Sequence, residues 1–131
     1  MIAAIAGRTT LPVRITSAGF VRPGRIPPPA VLHCARRYGV ELEGHTSRLI
    51  AALNIPDWDL FVVMDPSYGD ALRRRYRLEP SRILVLGDLD PQSIRQRRIE
   101  DPDGASPEAL ESTYARIARC TEHLATLLAT R

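Results

Sequence analysis

Two cysteines, Cys34 and Cys120, are the residues of this sequence best suited to covalent or metal chemistry. Two cysteines alone make neither a disulfide framework nor a zinc site. Both lie within helical patterns, where a cysteine is usually a small buried hydrophobic residue. We therefore predict two buried thiols and no metal centre.

Arginine is the other residue type that could recognise a reactive group. All 18 basic residues are arginines and none is lysine. The planar guanidinium suits phosphate and carboxylate recognition, but a lysine-free chain rich in alanine and proline is more typical of a G+C-rich genome. The clusters Arg73-Arg74-Arg75 and Arg95/Arg97/Arg98 contain few aromatic neighbours and match no nucleic-acid-binding module. We interpret them as solvated surface and expect no nucleic-acid partner.

Glycine-rich phosphate-binding motifs are absent from the sequence. No G-x-G-x-x-G follows a predicted strand, and no G-x-x-x-x-G-K-[ST] occurs. A dinucleotide site and a P-loop site therefore have no support, and we expect no cofactor.

Length and hydropathy restrict the class of protein. The 131 residues fit one domain, which we assign to residues 1–131, because domains usually hold about 100–200 residues. The longest apolar run with large side chains covers residues 60–64, far short of the roughly 20 residues of a membrane-spanning helix. Residues 1–6 are apolar, but they lack a basic start and are too short for a signal peptide. We expect a cytoplasmic protein with no membrane partner.

The elements that must position these side chains alternate between strands and helices. The alternation predicts an α/β fold whose parallel sheet has helices on both faces. Three strands make a thin sheet for this length, so one strand is expected to be missing. The predicted strands are residues 13–17, 59–65 and 82–87, and the predicted helices are residues 30–38, 45–53, 66–76 and 107–128.

Local signals fix several ends of these elements. Gly39 is placed to end the first helix in a left-handed conformation. Asp65 is interpreted as the cap of the helix that Pro66 begins, and Ser106 as the cap of the last helix. The continuous apolar run 60–64 predicts a strand buried on both faces. Ligands of such sheets bind beyond the carboxyl ends of the strands, which directs attention to the residues that follow each strand.

The order of these landmarks resembles the low-molecular-weight protein tyrosine phosphatase family, which also includes the thioredoxin-coupled arsenate reductases. The resemblance covers about residues 10 to 128. Its landmarks, in order, are Ser17-Ala18-Gly19, a Gly/Pro loop before a helix at Ala30, Gly39-Val40-Glu41-Leu42, His45-Thr46-Ser47-Arg48, the strand 59–65, the strand 83–86, and Ile99-Glu100-Asp101-Pro102.

The resemblance implies a three-layer α/β/α sheet and hydrolysis of a phosphomonoester through a phosphocysteine, without metal. It places Asp101 at the general acid, which protonates the departing oxygen and later activates water. It places Ser17 and His45 among residues that support the phosphate loop. Without the resemblance, Asp101-Pro102 reads as a turn, Ser17 as a strand-end hydroxyl and His45 as a partly exposed imidazole.

One part of the family pattern is missing from the sequence. Such phosphatases begin with a strand, a Cys-x5-Arg loop and a helix, whereas residues 1–10 resemble only the tail of that helix. Neither cysteine replaces the motif, since Val40 stands six residues after Cys34 and Thr126 six after Cys120. We therefore expect an N-terminally truncated or internally started chain, without the first strand and phosphate loop, that does not turn over phosphotyrosine.

The resemblance implies that the partner of an intact family member is a phosphotyrosine protein or a small phosphomonoester. Asp103-Gly104 stand where many family members carry an aromatic pair, and Phe20 is the one nearby aromatic residue. An intact relative of this chain is therefore expected to prefer smaller or less aromatic phosphoesters. No cysteine lies between Met64 and Arg119, so the arsenate-reductase branch is not favoured. The alternative is a non-catalytic interaction or regulatory protein of the same fold. Its unpaired strand edges would then require a strand-donating partner or self-association.

Overall fold

The chain is described by a computed structural model, which covers residues 11–21, 23–92, 94–101 and 104–130. Within these residues, three α-helices and two β-strands alternate, with short 3-10 turns between them. In chain order they are α1 (Pro29–Arg37), β1 (Phe61–Val63), α2 (Pro66–Tyr76), β2 (Ile83–Val85) and α3 (Pro107–Ala129).

The strands β1 and β2 form a parallel pair. Phe61 lies opposite Ile83, and Val63 lies opposite Val85. Parallel neighbours cannot be joined by a tight hairpin, and here α2 makes the crossover between them. The predicted α/β fold is confirmed.

Helices pack on both sides of this sheet, but the last helix, α3, covers only the β2 part of its side. On one face, Leu72 of α2 packs with Phe61, Val63 and Val85. On the other face, Leu84 packs against a cluster whose buried members are Leu86, Ile99, Cys120 and Leu124. The arrangement of helix, sheet and helix is the layered architecture that the resemblance implied.

The predicted helix ends are confirmed. The Asp65 carboxylate accepts a hydrogen bond of 2.9 Å from the Ser67 amide at the start of α2. The Ser106 hydroxyl accepts one of 3.2 Å from the Ala109 amide at the start of α3. Gly39 follows α1 with a φ of 72°, a conformation that glycine adopts without the steric cost of a Cβ.

The prediction of a strand over residues 13–17 is wrong. The segment has no regular structure, and the pairing occurs further on, as a single parallel bridge between Gly19 and Leu49. The Gly19 amide donates to the Arg48 carbonyl and the Ile50 amide donates to the Gly19 carbonyl, both at 2.8 Å. A β-branched run becomes a strand only when a neighbour pairs with it, and the neighbour here meets the chain after the run has ended.

The prediction of a helix over residues 45–53 is also wrong, apart from a 3-10 turn at Ile50–Ala52. The backbone of Ser47 is used elsewhere. Its amide donates to the Arg25 carbonyl at 2.9 Å, and its carbonyl accepts from the Gly24 amide at 2.8 Å. Groups that bond to a distant loop are not available for the i to i−4 bonds of a helix.

The prediction that β1 is buried on both faces holds for one face only. Phe61 and Val63 are buried, whereas Leu60, Val62 and Met64 are 39%, 39% and 37% exposed. The helix on that face, α3, packs mainly on the turn Leu86–Leu89 that follows β2. Because α3 does not extend over β1, the side chains of Leu60, Val62 and Met64 stay accessible.

Three predictions concern residues outside the described ranges: the assignment of residues 1–10 to a helix tail, Pro102 in the Asp-Pro pair, and Asp103 at the position of the family's aromatic pair. Among the residues that are described, no helix is both long and apolar enough to cross a lipid bilayer.

Candidate active site

The segment that carries Asp101 is attached to the carboxyl end of β1. The Ile99 amide donates to the carbonyl of Met64, the residue after the strand, at 2.8 Å. The Arg98 Nε lies 3.1 Å from Oδ2 of Asp65, which also caps α2. Asp101 follows two residues after the buried Ile99 and is itself exposed. Asp101, the residue predicted as general acid, thus follows a segment that is held at the sheet edge where ligands of parallel α/β proteins bind.

Asp65 is an ionised structural group at this edge. Hydrogen bonds from Ser67 and, to a lesser degree, the charge of Arg98 lower its pKa below the usual range of an aspartate. The charged carboxylate has a structural role, because it caps α2 and pairs with Arg98. The interpretation of Asp65 as a cap is therefore confirmed.

Ser17 and His45 lie in two segments that are hydrogen-bonded to each other. Ser17 is exposed and precedes the Gly19–Leu49 bridge. His45 is exposed, and its amide donates to the Leu42 carbonyl at 3.0 Å. The segments are joined at Ser47, whose hydroxyl accepts from the Arg25 amide at 2.9 Å. The structure thus places the loop that follows Ser17 against the segment that contains His45.

An aromatic contact connects the loop after Ser17 with the start of α2. The Phe20 and Tyr68 rings stack with centroids 5.3 Å apart. Phe20 packs against the core, while Tyr68 is 50% exposed. Phe20 could be identified from the sequence, whereas Tyr68 could not, because nothing in the helical pattern of α2 marks a residue that meets a distant loop.

Both cysteine thiols are buried in the interior of the protein. Cys34 is 4% exposed and its sulfur lies 3.5 Å from a carboxylate oxygen of Glu111 on α3. Cys120 is fully buried beside Leu86 and Leu124. Burial raises the pKa of both thiols, and Glu111 raises that of Cys34 further. Because a nucleophilic cysteine needs a lowered pKa, these sites favour the inert thiol, and the predicted burial is confirmed.

A buried carboxylate network, which sequence analysis missed, lies behind the Asp101 segment. The Asp90 side chain is 2% exposed and binds Arg116 Nε at 3.0 Å and Arg119 Nη2 at 3.2 Å. Burial by itself raises the pKa of Asp90, but hydrogen bonds from Arg119, the Gln92 amide and Arg116 outweigh it and lower the pKa. The spacing of Arg116 and Arg119 along one helix face was the available signal.

The arginine cluster at residues 95–98 is exposed, as expected, but it is engaged within the chain. Arg97 donates to both carboxylate oxygens of Asp88, at 2.7 and 2.8 Å. Arg98 pairs with Asp65. Among residues 11–21, 23–92, 94–101 and 104–130, no group of three or more histidine, cysteine or acidic residues is placed to hold a metal ion.

Comparison with known proteins gives one family. The family model described as low molecular weight phosphotyrosine protein phosphatase matches residues 1–131. Among curated proteins, none matches the sequence.

Several solved structures share the fold. The tyrosine phosphatase amsI of Erwinia amylovora has a TM-score of 0.79 at 24% identity, over 96% of this chain and 82% of that one. The low molecular weight protein tyrosine phosphatase of T. tengcongensis has a TM-score of 0.82 at 18% identity, over 95% and 84%. The YwlE arginine phosphatase of Geobacillus stearothermophilus has a TM-score of 0.81 at 21% identity, over 98% and 83%.

Proposed function

Because this chain belongs to the low-molecular-weight phosphotyrosine protein phosphatase family, we propose that it carries the proton-donor side of a site for phosphomonoester hydrolysis, with Asp101 as the general acid. The observation that supports this role most directly is the Ile99–Met64 hydrogen bond, which holds the Asp101 segment at the carboxyl end of β1. A general acid must be held within reach of the leaving oxygen, and this edge is where a substrate would lie.

Ser17 and His45 are proposed as supports of the phosphate-binding side of the site. The Arg25–Ser47 hydrogen bonds favour this assignment, since they tie the segment of His45 to the loop that follows Ser17. A group that only holds a phosphate loop acts through that loop, so both residues are positioning residues in this proposal.

The reaction divides between the thiolate and Asp101. A thiolate forms the sulfur–phosphorus bond while the phosphorus–oxygen bond breaks, and Asp101 gives its proton to the departing oxygen. In the second step water attacks phosphorus while Asp101, now a carboxylate, takes a proton from it. The sulfur–phosphorus bond breaks, which releases phosphate and regenerates the thiolate. The 131 residues contain no Cys-x5-Arg sequence, and Cys34 and Cys120 are buried. We therefore propose that this chain by itself does not form a phosphocysteine.

The proposed substrate is a phosphomonoester smaller or less aromatic than phosphotyrosine. The Phe20–Tyr68 stack is the aromatic surface that the structure describes near this edge, and Gly104 contributes no ring. The fold neighbours include proteins described as tyrosine phosphatases and one described as an arginine phosphatase. Assays should therefore include phenyl phosphate and a small alkyl phosphate, with phosphoarginine, a phosphoramidate rather than a phosphomonoester, for comparison.

The first test is hydrolysis by the chain as it stands. We expect no release of phosphate above buffer from p-nitrophenyl phosphate, either by the unaltered chain or by Asp101→Asn. Metal-independent turnover that falls in Asp101→Asn would contradict the proposed inactivity, and would show that another nucleophile works with this acid.

The second test measures the acid itself in a fusion of residues 11–130 to the strand and Cys-x5-Arg loop of an active family member. Asp101→Asn should lower kcat/KM for phenyl phosphate by about a hundredfold, since a general acid contributes roughly 10²–10⁴-fold. The loss should be smaller for p-nitrophenyl phosphate, whose leaving group is a weaker base. We use kcat/KM because it reports the step in which the leaving group departs, whereas kcat can be limited by hydrolysis of the phosphocysteine, which is the same for both substrates. The exposed neighbour Glu100 provides the control, Glu100→Gln, which should change kcat/KM little. Equal losses of kcat/KM with both substrates would refute the proton-donor role.

A non-catalytic interaction protein is the second candidate. It is favoured by the exposure of Leu60, Val62 and Met64 on one face of β1, because exposed apolar side chains beside a strand favour association. Light scattering and thermal unfolding of the purified chain test it. Concentration-dependent association supports this candidate, whereas a monomer with cooperative unfolding and ordinary stability argues against it.

A further inference from the structure

Arg116 binds three groups of the segment 88–101 with one guanidinium. Its Nε lies 3.0 Å from Oδ2 of Asp90, and its Nη1 donates to the Arg98 carbonyl at 2.9 Å. Its Nη2 donates to the Gln96 carbonyl. The Arg116 side chain is 11% exposed. A guanidinium has five donors in a fixed planar arrangement, so it can hold two carbonyls and a carboxylate at the same time.

Asp90 keeps Arg116 in this orientation. Both oxygens of the buried carboxylate also bind Arg119, at 3.2 Å, and Oδ1 accepts from the Gln92 amide at 3.0 Å. These bonds lower the pKa of Asp90 in spite of its burial. The Asp90 carboxylate therefore stays ionised at neutral pH and holds the Arg116 guanidinium in place. The backbone of α3, which carries Arg116, fixes the other end of the side chain.

The groups bound by Arg116 lie directly before Asp101. Arg98, whose carbonyl it binds, pairs with Asp65 through its own side chain. Ile99, the next residue, is 4% exposed and bonds to the carbonyl of Met64. The backbone before Asp101 is thus held by two elements. The end of β1 binds it through Met64 and Asp65, and α3 binds it through Arg116.

We propose that Arg116 is a positioning residue for Asp101. It holds the two carbonyls that shape the backbone before Asp101, and so fixes where the Asp101 segment leaves the end of β1. Its relation to catalysis rests on the proposed role of Asp101 as general acid, whereas its effect on the segment is a property of the fold. Arg116 makes no contact with substrate in this proposal.

Arg119 offers a matched control. It binds the same carboxylate from the same helix, but the structure gives it no bond to the carbonyls of residues 96 and 98. Loss of either arginine removes ion pairing with Asp90, whereas loss of Arg116 alone releases the segment.

The test is amide hydrogen exchange and 15N relaxation on the 131-residue chain. In Arg116→Met, the Ile99 amide should exchange about tenfold faster relative to amides of α2, as expected for a local opening. The heteronuclear NOE of Asp101 should fall. In Arg119→Met both readouts should stay close to those of the unaltered chain after correction for global stability. Arg116→Lys keeps the charge without the fork and should show an intermediate effect, which maintains the test if the methionine variant does not fold.

Two results would overturn the proposal. One is equal acceleration at Ile99 in the Arg116 and Arg119 variants, which would mean that both act only through overall stability. The other is an Asp101 segment that is unchanged in Arg116→Met and Arg116→Lys. Neither depends on turnover, so failure of the general-acid assignment in the fusion assay would be distinguished from failure of the positioning role.

Discussion

At the scale of single residues, Glu111 shows how a polar group makes a buried thiol inert. One carboxylate of α3 meets the Cys34 sulfur at 3.5 Å, the Tyr38 hydroxyl at 2.9 Å and an Arg37 nitrogen at 2.9 Å. All three groups belong to the last turns of α1 or the residue after it. The carboxylate favours the protonated thiol and joins two helices.

We predict that Cys34 and Cys120 react with a disulfide reagent at neutral pH at least about a hundredfold more slowly than a free thiol, because burial raises both pKa values. Denaturation should restore the full rate. Glu111→Gln should accelerate the reaction of Cys34 and leave that of Cys120 unchanged. A fast reaction at either residue in the folded chain would contradict the prediction.

The ionised Asp90 carboxylate should make the free energy of unfolding fall at acid pH. Its folded-state pKa is lowered, so its contribution to the free energy of unfolding is full above the pKa of about 3.9 of an unfolded aspartate. The contribution is lost as the pH falls through the lower folded value. Asp90→Asn should cost about 3 kcal/mol at pH 7, since two arginines lose a buried partner. The variant should also lose less stability below pH 4, as urea titrations at several pH values would show.

At the scale of elements, the turn after β2 depends on one glycine. A Cβ on Gly87 would lie almost on top of the Arg97 carbonyl and 3.0 Å from Nη2 of Arg116. The absence of a side chain therefore lets the segment 88–101 fold back over the end of β2. Gly69 has a similar role in α2, where an added Cβ would lie 3.1 Å from Cγ2 of Ile83.

Gly87→Ala is predicted to destabilise the chain by about 3 kcal/mol, at the upper end of the cost of overpacking, because the obstructing atom is backbone and cannot rotate away. Gly19→Ala is the control, since an added Cβ there meets nothing within 4 Å. It should change stability by less than about 1 kcal/mol. Equal urea midpoints for Gly87→Ala and the unaltered chain would refute the close approach.

Local signals explain which elements could be predicted from sequence. The Asp65 and Ser106 caps and the Gly39 terminus are confirmed because each depends on a few adjacent residues. The expectation for residues 13–17 failed because the pairing occurs further on, between Gly19 and Leu49. The expectation for residues 45–53 failed because several of its backbone groups bond to distant segments. Pairing of that kind depends on tertiary context that propensity does not contain.

At the scale of the whole molecule, two apolar clusters enclose a sheet of two described strands. One cluster joins β1 and β2 to α2, and the other joins the end of β2 to α3. The family and the α/β fold were predictable because the sequence carries several motifs in the order of the family, and the family model matches residues 1–131. The Asp90–Arg116 contact was not, because it depends on how α3 closes over a loop far from it in sequence.

Because Arg116 of α3 binds the segment before Asp101, this segment can take its final position only after α3 has been synthesised. During synthesis β1, α2 and β2 leave the ribosome before α3, so the parallel pair and its crossover helix can form first. Arg116 emerges later, on the last helix. Asp101, the proposed proton donor, is therefore the last residue of this edge to be positioned. In a nascent chain that stops short of that helix, the Asp101 segment would be held from the end of β1 alone.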